Sequence, residues 1–587
     1  MKHKDSEHNI ILQSVFRATL IAMIVADLAE VIAAGIDGML TGRYLGANSL
    51  AAFGIAKPFY SITGILSAVL SSGAMTVSSH WIGSGDVDKT RQIFSLTCFL
   101  GVVLSVTAAG LGIIFINPFT RILGANADLF FEVRRYLLGL LLGVPAIVMG
   151  NVLTIFLQLE GKRANVTLSV FATIVVNLGG DAFNIFYLKG DMFGMGLATS
   201  ASYYAALIIL LYSFIKQDSM MRFRFRDIDY AMTGELLSKG MPKATRRICN
   251  VFRPMIINHT VIMIGGSIAM SALSVQHSSS DFLELLGTCL ADVVVLMCGI
   301  YYGERNREEI ANTLSMSFRY IMFGVMSVTA FAFLGARLIA SFYLGSNIQA
   351  IEAAIPCIKL YALKLPFLAF NEIYMGYFQA IGDTRYSHAM SVLHRFVYVC
   401  ASVVILGSIF GIIGVWAAFP VSEILFTITI LILAALHERH LPRKIHDMLF
   451  LPASFGINPE NRFHRFIRSR EDAVSTSKEA YNFCAEKKII HKRSMLVALC
   501  IEELGINAVT YGFSRKNQIA EVSITAEGDD LKLRFCDNGR LFDLKQWFEL
   551  FHSDDLASHI GIRMLFGLAN DISYMNTMNT NNVIIKL

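Results

Sequence analysis

Two sets of residues have types and spacings that could do chemistry. The first lies in apolar surroundings. Asn177, Asp181 and Asn184 fall four and three apart in NLGGDAFN, which places them on one face of a helix. Asp37 stands in a second apolar stretch, and Thr199 offers a hydroxyl in a third. Two carboxylates, an amide oxygen and a hydroxyl are the oxygen ligands that a proton or a Na+ ion needs. A lone hydroxyl in an apolar helix usually bonds its own i−4 carbonyl, so Thr199 gains meaning only beside these neighbours. Asp27, Glu30, Arg253, Asp292, Glu372 and Glu423 also interrupt apolar runs. A charge in hydrocarbon costs at least a few kcal/mol, so each needs a partner, a proton or water. Plain readings exist here too: Asp27 could pair inside a helix bundle and Arg253 could snorkel to a polar face.

The second set lies near the C-terminus. Glu503 and Asn507 are i and i+4 on one helix face, a carboxylate able to act as a general base and an amide oxygen able to hold Mg2+. Taken alone, EELGIN reads as a solvated helix face. Asp537, Asn538 and Gly539 end a strand in D-N-G, where a carboxylate could accept an adenine amino proton and glycine lets backbone approach the ring. The plain alternative is a turn, for which N-G is a common signal. Gly561 opens a helix whose N-terminus could take phosphate.

Composition says what must position these groups. Of the 587 residues, 54% are hydrophobic and 16% charged, with mean hydropathy +0.54. So little charged surface excludes a soluble enzyme, a disordered chain or a nucleic-acid-binding protein as a reading of the whole. The charge is uneven: residues 451–587 hold 17 Lys+Arg and 17 Asp+Glu, an ordinary globular balance, so the net +5 falls in the apolar part. Twelve stretches between residues 11 and 436 are long and apolar enough to be membrane spans. The eighth, at 281–302, is interrupted by Glu284 and Asp292. Alternate loops collect Lys and Arg (Lys2, Lys89, Arg91, Lys162, the basic 216–243 stretch, Arg305, Arg307, Arg385, Arg439), which predicts that both termini are cytoplasmic. The polar N-terminus lacks a small-residue cleavage site and reads as leading into a retained first span. The nine cysteines show no C-x-x-C and no metal spacing, so they read as small hydrophobes.

The apolar part repeats itself. GSGDVDKTRQIFS (83–95) is echoed by GERNREEIANTLS (303–315), QLEG (158–161) by QAIG (379–382), and FGMGLA (193–198) by FGIIGVWA (410–417), each at an offset of about 220 residues. Two six-helix lobes follow, 1–220 and 221–440, the usual build of a secondary transporter with its site between the halves. A linker spans 441–470. Residues 471–587 then read as α, α, β, β, α, β, β, an α+β sandwich with helices on one face of a mixed sheet.

The membrane part resembles the multidrug and toxic compound extrusion (MATE) family. GIDGMLTGRYLGANSLAAFGIAKPF (35–59) is similar to that family's first-span signature, and GAMTVSSHWIGSGD, NVLTIFLQLEGKR and NLGGDAFNIF…GMGLATSAS follow in order. The resemblance covers roughly residues 10–440. It implies an all-α, twelve-span, two-lobe antiporter in the plasma membrane that exports organic or drug-like compounds against H+ or Na+, with a cation site on Asp37, Asn177, Asp181 and Thr199. The basic KATRRICNVFR departs from the family pattern: Arg246, Arg247 or Arg253 facing the cavity would favour an anionic ligand.

The C-terminal part resembles the ATPase domain of histidine kinases, most closely the anti-sigma-factor serine/threonine kinase branch. IEELGINAVTYGF is similar to its E-x-x-x-N helix, LRFCDNGRLFD to its D-x-G-x-x-F-D box and SHIGIRMLFGLANDISY to its G-x-G helix. The resemblance implies Mg-ATP as cofactor, Glu503 as general base, Asn507 on Mg2+, Asp537 and Gly539 on adenine, Gly561 at phosphate, and a phosphoacceptor protein of the anti-sigma-antagonist kind as partner. His559 stands where that branch has glycine, and 544–557 lacks a glycine-rich lid, so a degenerate ATP-sensing domain competes with an active kinase. No phosphoacceptor-His helix is evident, which argues against a histidine kinase. A membrane sensor that signals without transport is the rival reading. An ATP-driven pump fits poorly, since no G-x-x-x-x-G-K-[ST] loop occurs.

Overall fold

The computed structural model describes the chain apart from residues 1, 46, 85, 124–128, 216–218, 220, 345–347, 383, 453, 515–517, 528–529, 541–570 and 578–579. From Lys2 to Glu438 the described chain is helical apart from short connections. Apolar side chains all round these helices leave few polar surfaces, and bilayer-length helices satisfy every backbone group internally. Ten described helices are long and apolar enough to cross a membrane, or eleven if Phe130–Leu141 and Val144–Leu159, bent by 43°, form one crossing; one of them, His491–Gly512, packs in the C-terminal body, which leaves nine or ten in the membrane body. The sequence expectation of twelve is therefore met only in part. Lys2–Leu40 is not among these helices, and Tyr386–Glu438 counts once over its 53 residues although Gly411 breaks it.

Helix ends follow local chemistry. Asp86 caps Val87–Ile114 by accepting from the Lys89 amide at 3.0 Å, and Asn306 caps Arg307–Tyr320 by accepting from the Glu309 amide at 3.3 Å. The two caps stand at matching places in GSGD and GERN, one in each repeat. Gly266 and Gly411 break long helices with φ of 61° and 64°, backbone that glycine adopts without strain.

The repeats meet along Ala47–Ser84, which packs over much of its length on Thr233–Gly303. Glycines make the closest points. A methyl on Gly73 would strike the Leu236 carbonyl, and one on Gly240 the Val69 carbonyl. Across the seam Gln379 Nε2 donates to Ser72 Oγ at 2.7 Å, while within the second half Lys239 bonds the Gly382 carbonyl.

The C-terminal body is a five-stranded sheet in the order β1-β2-β3-β5-β4, with β1 Arg462–Ile467, β2 Ala520–Glu527, β3 Asp530–Asp537, β4 Asp571–Thr577 and β5 Thr580–Lys586. Every pairing is antiparallel, so the expected mixed sheet is corrected. β1 precedes the helices, inside the stretch read as linker; its six residues are too short and too rich in Arg and His to stand out by pattern. The expected helix near 558–569 lies outside the described residues. Period-two alternation divides the sheet faces. Phe463, Ile467, Val522, Ile524, Leu531, Leu533, Phe535 and Ile585 pack under Arg470–Glu486 and His491–Asn507 as one core. Between the two bodies, Leu449 and Leu451 join the core of the membrane helices.

Candidate functional site

Asp37 is carried on Lys2–Leu40 and Asp181 on Arg163–Ala182, two helices that pack together. Asp37 is 8% exposed and Asp181 fully buried, with Asn177 at 3% and Thr199 at 7%. Asp37 lies within interaction range of both Asp181 and Asn177. Asn177 Nδ2 donates to Thr199 Oγ1 at 3.4 Å, a long bond, while the hydroxyl donates to its own i−4 carbonyl at Met195, 3.1 Å away. The four residues expected from sequence are thus brought together. Asn184 is not with them: its side-chain amide donates to the Asp191 carbonyl at 3.1 Å.

Asp37 Oδ1 and both Asp181 carboxylate oxygens have no hydrogen-bond partner among the described residues. Two facing carboxylates in a low dielectric repel strongly unless a proton or a cation sits between them. The arrangement can therefore bind and release one positive charge. Tyr60 and Tyr136, whose hydroxyls are 3.2 Å apart, line the same site. Sequence reasoning missed both, because a lone tyrosine in an apolar run carries no spacing signal.

Other intramembrane charges are neutralised in the second half. Glu372, fully buried, bonds Arg395 and pairs with Arg246 at 2.6 Å. Glu423 meets His394 Nε2 at 2.6 Å and Asn371 Nδ2 at 2.8 Å. Lys364 reaches Glu284 at 2.8 Å, and Lys243 reaches Asp292 at 3.1 Å. Asp27 lies 3.5 Å from the Cys289 thiol. Glu284, Asp292, Glu372 and Glu423 thus each have a basic partner, whereas Asp27 has a thiol beside it. Lys364, His394 and Arg395 were missed as partners, since only fold contacts bring them to residues 23 to 80 positions away. The Glu30 side chain lies outside the described residues.

The helical body consists of two repeats, and the buried acidic pair lies within the first of them. The MatE family model matches the chain twice, over residues 22–183 and 242–404. The chain belongs to the MatE family. The two matches are offset by about 220 residues, the same spacing as the sequence repeats. Among similar proteins is the multidrug export protein MepA of Staphylococcus aureus (strain bovine RF122 / ET3-1), 21% identical over 429 residues, 72% of this chain and 94% of that protein. MepA of Staphylococcus saprophyticus is 21% identical over 435 residues, 73% of this chain and 95% of the relative. Among solved structures, an outward-facing multidrug resistance MATE transporter superposes with TM-score 0.66 at 21% identity, covering 71% of this chain and 93% of that one. A Pyrococcus furiosus transporter of the MOP superfamily, described as having a binding pocket of reverse polarity, gives 0.65 at 21% identity over the same shares.

In this MatE chain an open groove of about 720 Å3 lies in the second half, lined by Ile256, His259, Thr260, Met263, Val404 and Gly407 among others. It shares no residue with the acidic pair, whose unsatisfied oxygens mark the chemistry better than volume does.

The MatE matches end at residue 404, and the C-terminal body holds the second residue set. Asn507 Nδ2 donates to Glu503 Oε1 at 3.2 Å, which turns the amide oxygen away from the carboxylate. Asp537 Oδ1 accepts from the Gly539 amide at 2.8 Å and from Asn581 Nδ2 at 2.9 Å. Burial pushes the Asp537 carboxyl up to about 6, against the pull of those two N–H groups. The two motifs meet at Gly512: Arg540 N donates to its carbonyl at 2.9 Å, and a methyl on Gly539 would come within 3.0 Å of the Gly512 backbone. Glu503, Asn507, Asp537 and Gly539 thus have the donor and acceptor types that the adenine and Mg2+ ends of a nucleotide require. Gly561 and His559 lie outside the described residues.

Proposed function

We propose that this MatE chain is a secondary antiporter that exports small organic or drug-like compounds in exchange for H+ or Na+, with Asp37 and Asp181 as the exchanging pair, Asn177 beside them and Thr199 bonded to Asn177. The single observation that carries the reading is the facing of two buried carboxylates, with Asp37 Oδ1 and both Asp181 oxygens lacking hydrogen-bond partners among the described residues. The similar MepA proteins are multidrug exporters by name. Twelve crossings fit this reading, with Lys2–Leu40 supplying one and the break at Gly411 dividing the last long helix into two. Both termini then lie on the cytoplasmic side. Arg246 shares Glu372 with Arg395, so this carboxylate balances only one of the two guanidiniums.

The proposal extends to the C-terminal body: Mg-ATP binding by Asn507, Asp537, Gly539 and Gly561, with Glu503 as general base, regulates transport or phosphorylates a partner protein on Ser or Thr. Support comes from the bonded Glu503–Asn507 pair and its meeting with Asp537 and Gly539 through Gly512. Mg2+ held at Asn507 would draw together and neutralise nucleotide phosphates, while Glu503 would take a hydroxyl proton. Fluorescent nucleotide titration of the full chain tests this part. Binding abolished by Asn507→Ala is expected, and binding unchanged in that variant contradicts it.

For transport, the purified protein in vesicles is given an imposed H+ or Na+ gradient and a fluorescent lipophilic cation. Wild type is expected to move the dye and Asp181→Asn to fail. The sensor reading is the second one, favoured by a signalling-type body fused to the membrane helices; wild type that binds such dyes without moving them under either gradient would replace the first reading with it.

A further inference from the structure

Much of the polar face of the C-terminal sheet is buried. Strand alternation puts Arg462, His464, Ser523, Lys532, Arg534, Cys536, Asn582 and Ile584 opposite the apolar core face. Ser523, Cys536, Asn582 and Ile584 are buried there, and Ile584 belongs to the core of the membrane helices rather than to the sheet's own core. What covers this face is the end of each repeat. Lys532 Nζ donates to the Ser84 carbonyl at 2.9 Å, at the end of Ala47–Ser84 in the first half. Arg534 Nη1 pairs with Glu304 at 2.5 Å, at the end of Thr233–Gly303 in the second half, with Glu304 9% and Arg534 22% exposed. Arg462 Nη1 donates to the buried Asn306 Oδ1 at 2.9 Å, and Asn306 is the cap of the next helix. Neighbouring residues of one strand therefore hold both repeats at their GSGD and GERN ends, the side that loop charges mark as cytoplasmic.

We propose that this sheet face is an interaction surface whose partner is the paired repeat ends of its own chain, and that the contact is a clamp holding the transporter closed on that side. Alternating access requires the two halves to separate at each side in turn. Separation here would pull Ser84 from Glu304, and the sheet cannot stretch between Lys532 and Arg534, two residues apart on β3. Opening thus requires the body to leave at least one repeat. A part-buried ion pair and charge-assisted bonds are costly to break singly, because the partner is left desolvated. The surface rests on contacts in this chain and not on the coupling role of Asp37 and Asp181.

The test uses the full-length protein in nanodiscs. All nine native cysteines are buried, so cysteines placed at the exposed Asp88 and Glu308 take spin labels selectively. Distances between the labels are compared for the wild-type background, Arg534→Glu, Glu304→Arg and the charge-swapped pair. The expected result is one short distance in wild type, a second longer population in each single variant and return to the short distance in the swap. Single variants that keep the short distance would overturn the proposal. Single variants that lengthen it without recovery in the swap would overturn it too, since that marks damage to folding rather than loss of a clamp. No transported compound enters the measurement, so its outcome is separable from that of the antiport reading.

Discussion

Gly83 and Gly303 close on each other's helices at the point where the two repeats cross. A methyl on Gly83 would collide with the Ile300 carbonyl and come within 2.9 Å of the Gly303 Cα; one on Gly303 would collide with the His80 carbonyl. The two glycines occupy the same place in the repeated GSGD and GERN segments, so the sequence repeat and the crossing point are one feature. Small residues at such a crossing let backbones approach as no larger side chain can.

Gly303→Ala is therefore expected to weaken the membrane body by roughly 1–3 kcal/mol, the usual cost of overpacking a close contact. Thermal unfolding in detergent measures it. The same substitution at Gly110, which faces no atom within 4 Å, should leave the midpoint nearly unchanged.

Glu372→Gln leaves Arg395 buried against a neutral partner, and a loss of roughly 3–5 kcal/mol is expected for breaking such a pair from one side. Replacing both residues by apolar side chains of similar volume should recover much of that loss. A single variant as stable as wild type would show that the second-half ion network is not structural.

The acidic pair was legible in the sequence because helical spacing links Asn177 to Asp181 and because carboxylates in apolar runs are costly enough to stand out. Asn184 misled, since a π-like widening of the backbone after Ala182 and the close Gly190 and Gly194 turn its amide to Asp191. Glu372 and Glu423 could be flagged but not explained. Their partners Arg395 and His394 lie on another helix, and no local pattern encodes that contact. In the C-terminal body the sequence pattern revealed β2, β3, β4 and β5, whereas β1 escaped because its apolar face is only Phe463, Arg465 and Ile467. The docking face was illegible for a related reason: no local pattern links Lys532 and Arg534 to Ser84 and Glu304, which only the fold brings against them.

Asp537 gives the C-terminal body a pH dependence. Burial raises its carboxyl from 3.8 to about 6, so the folded state holds a proton that the unfolded chain releases across that range. The stability it contributes is present in full below pH 3.8 and is lost as pH rises through about 6. Hydrogen exchange of β3 amides, corrected for intrinsic rates, should show less protection at pH 7 than at pH 5 in wild type. That difference should vanish in Asp537→Asn. Nucleotide binding should run the other way, weakening as pH falls through about 6, because a protonated Asp537 accepts poorly from an adenine amino group.

The central claim is that Asp37 and Asp181 exchange one cation for one cycle of export. Vesicles holding wild type or Asp181→Asn allow two fluxes to be compared for the same dye: accumulation against its gradient driven by H+ or Na+, and equilibrium exchange of labelled for unlabelled dye with no ion gradient. The account predicts that Asp181→Asn abolishes driven accumulation and keeps exchange. Driven accumulation in Asp181→Asn at the wild-type rate would contradict it.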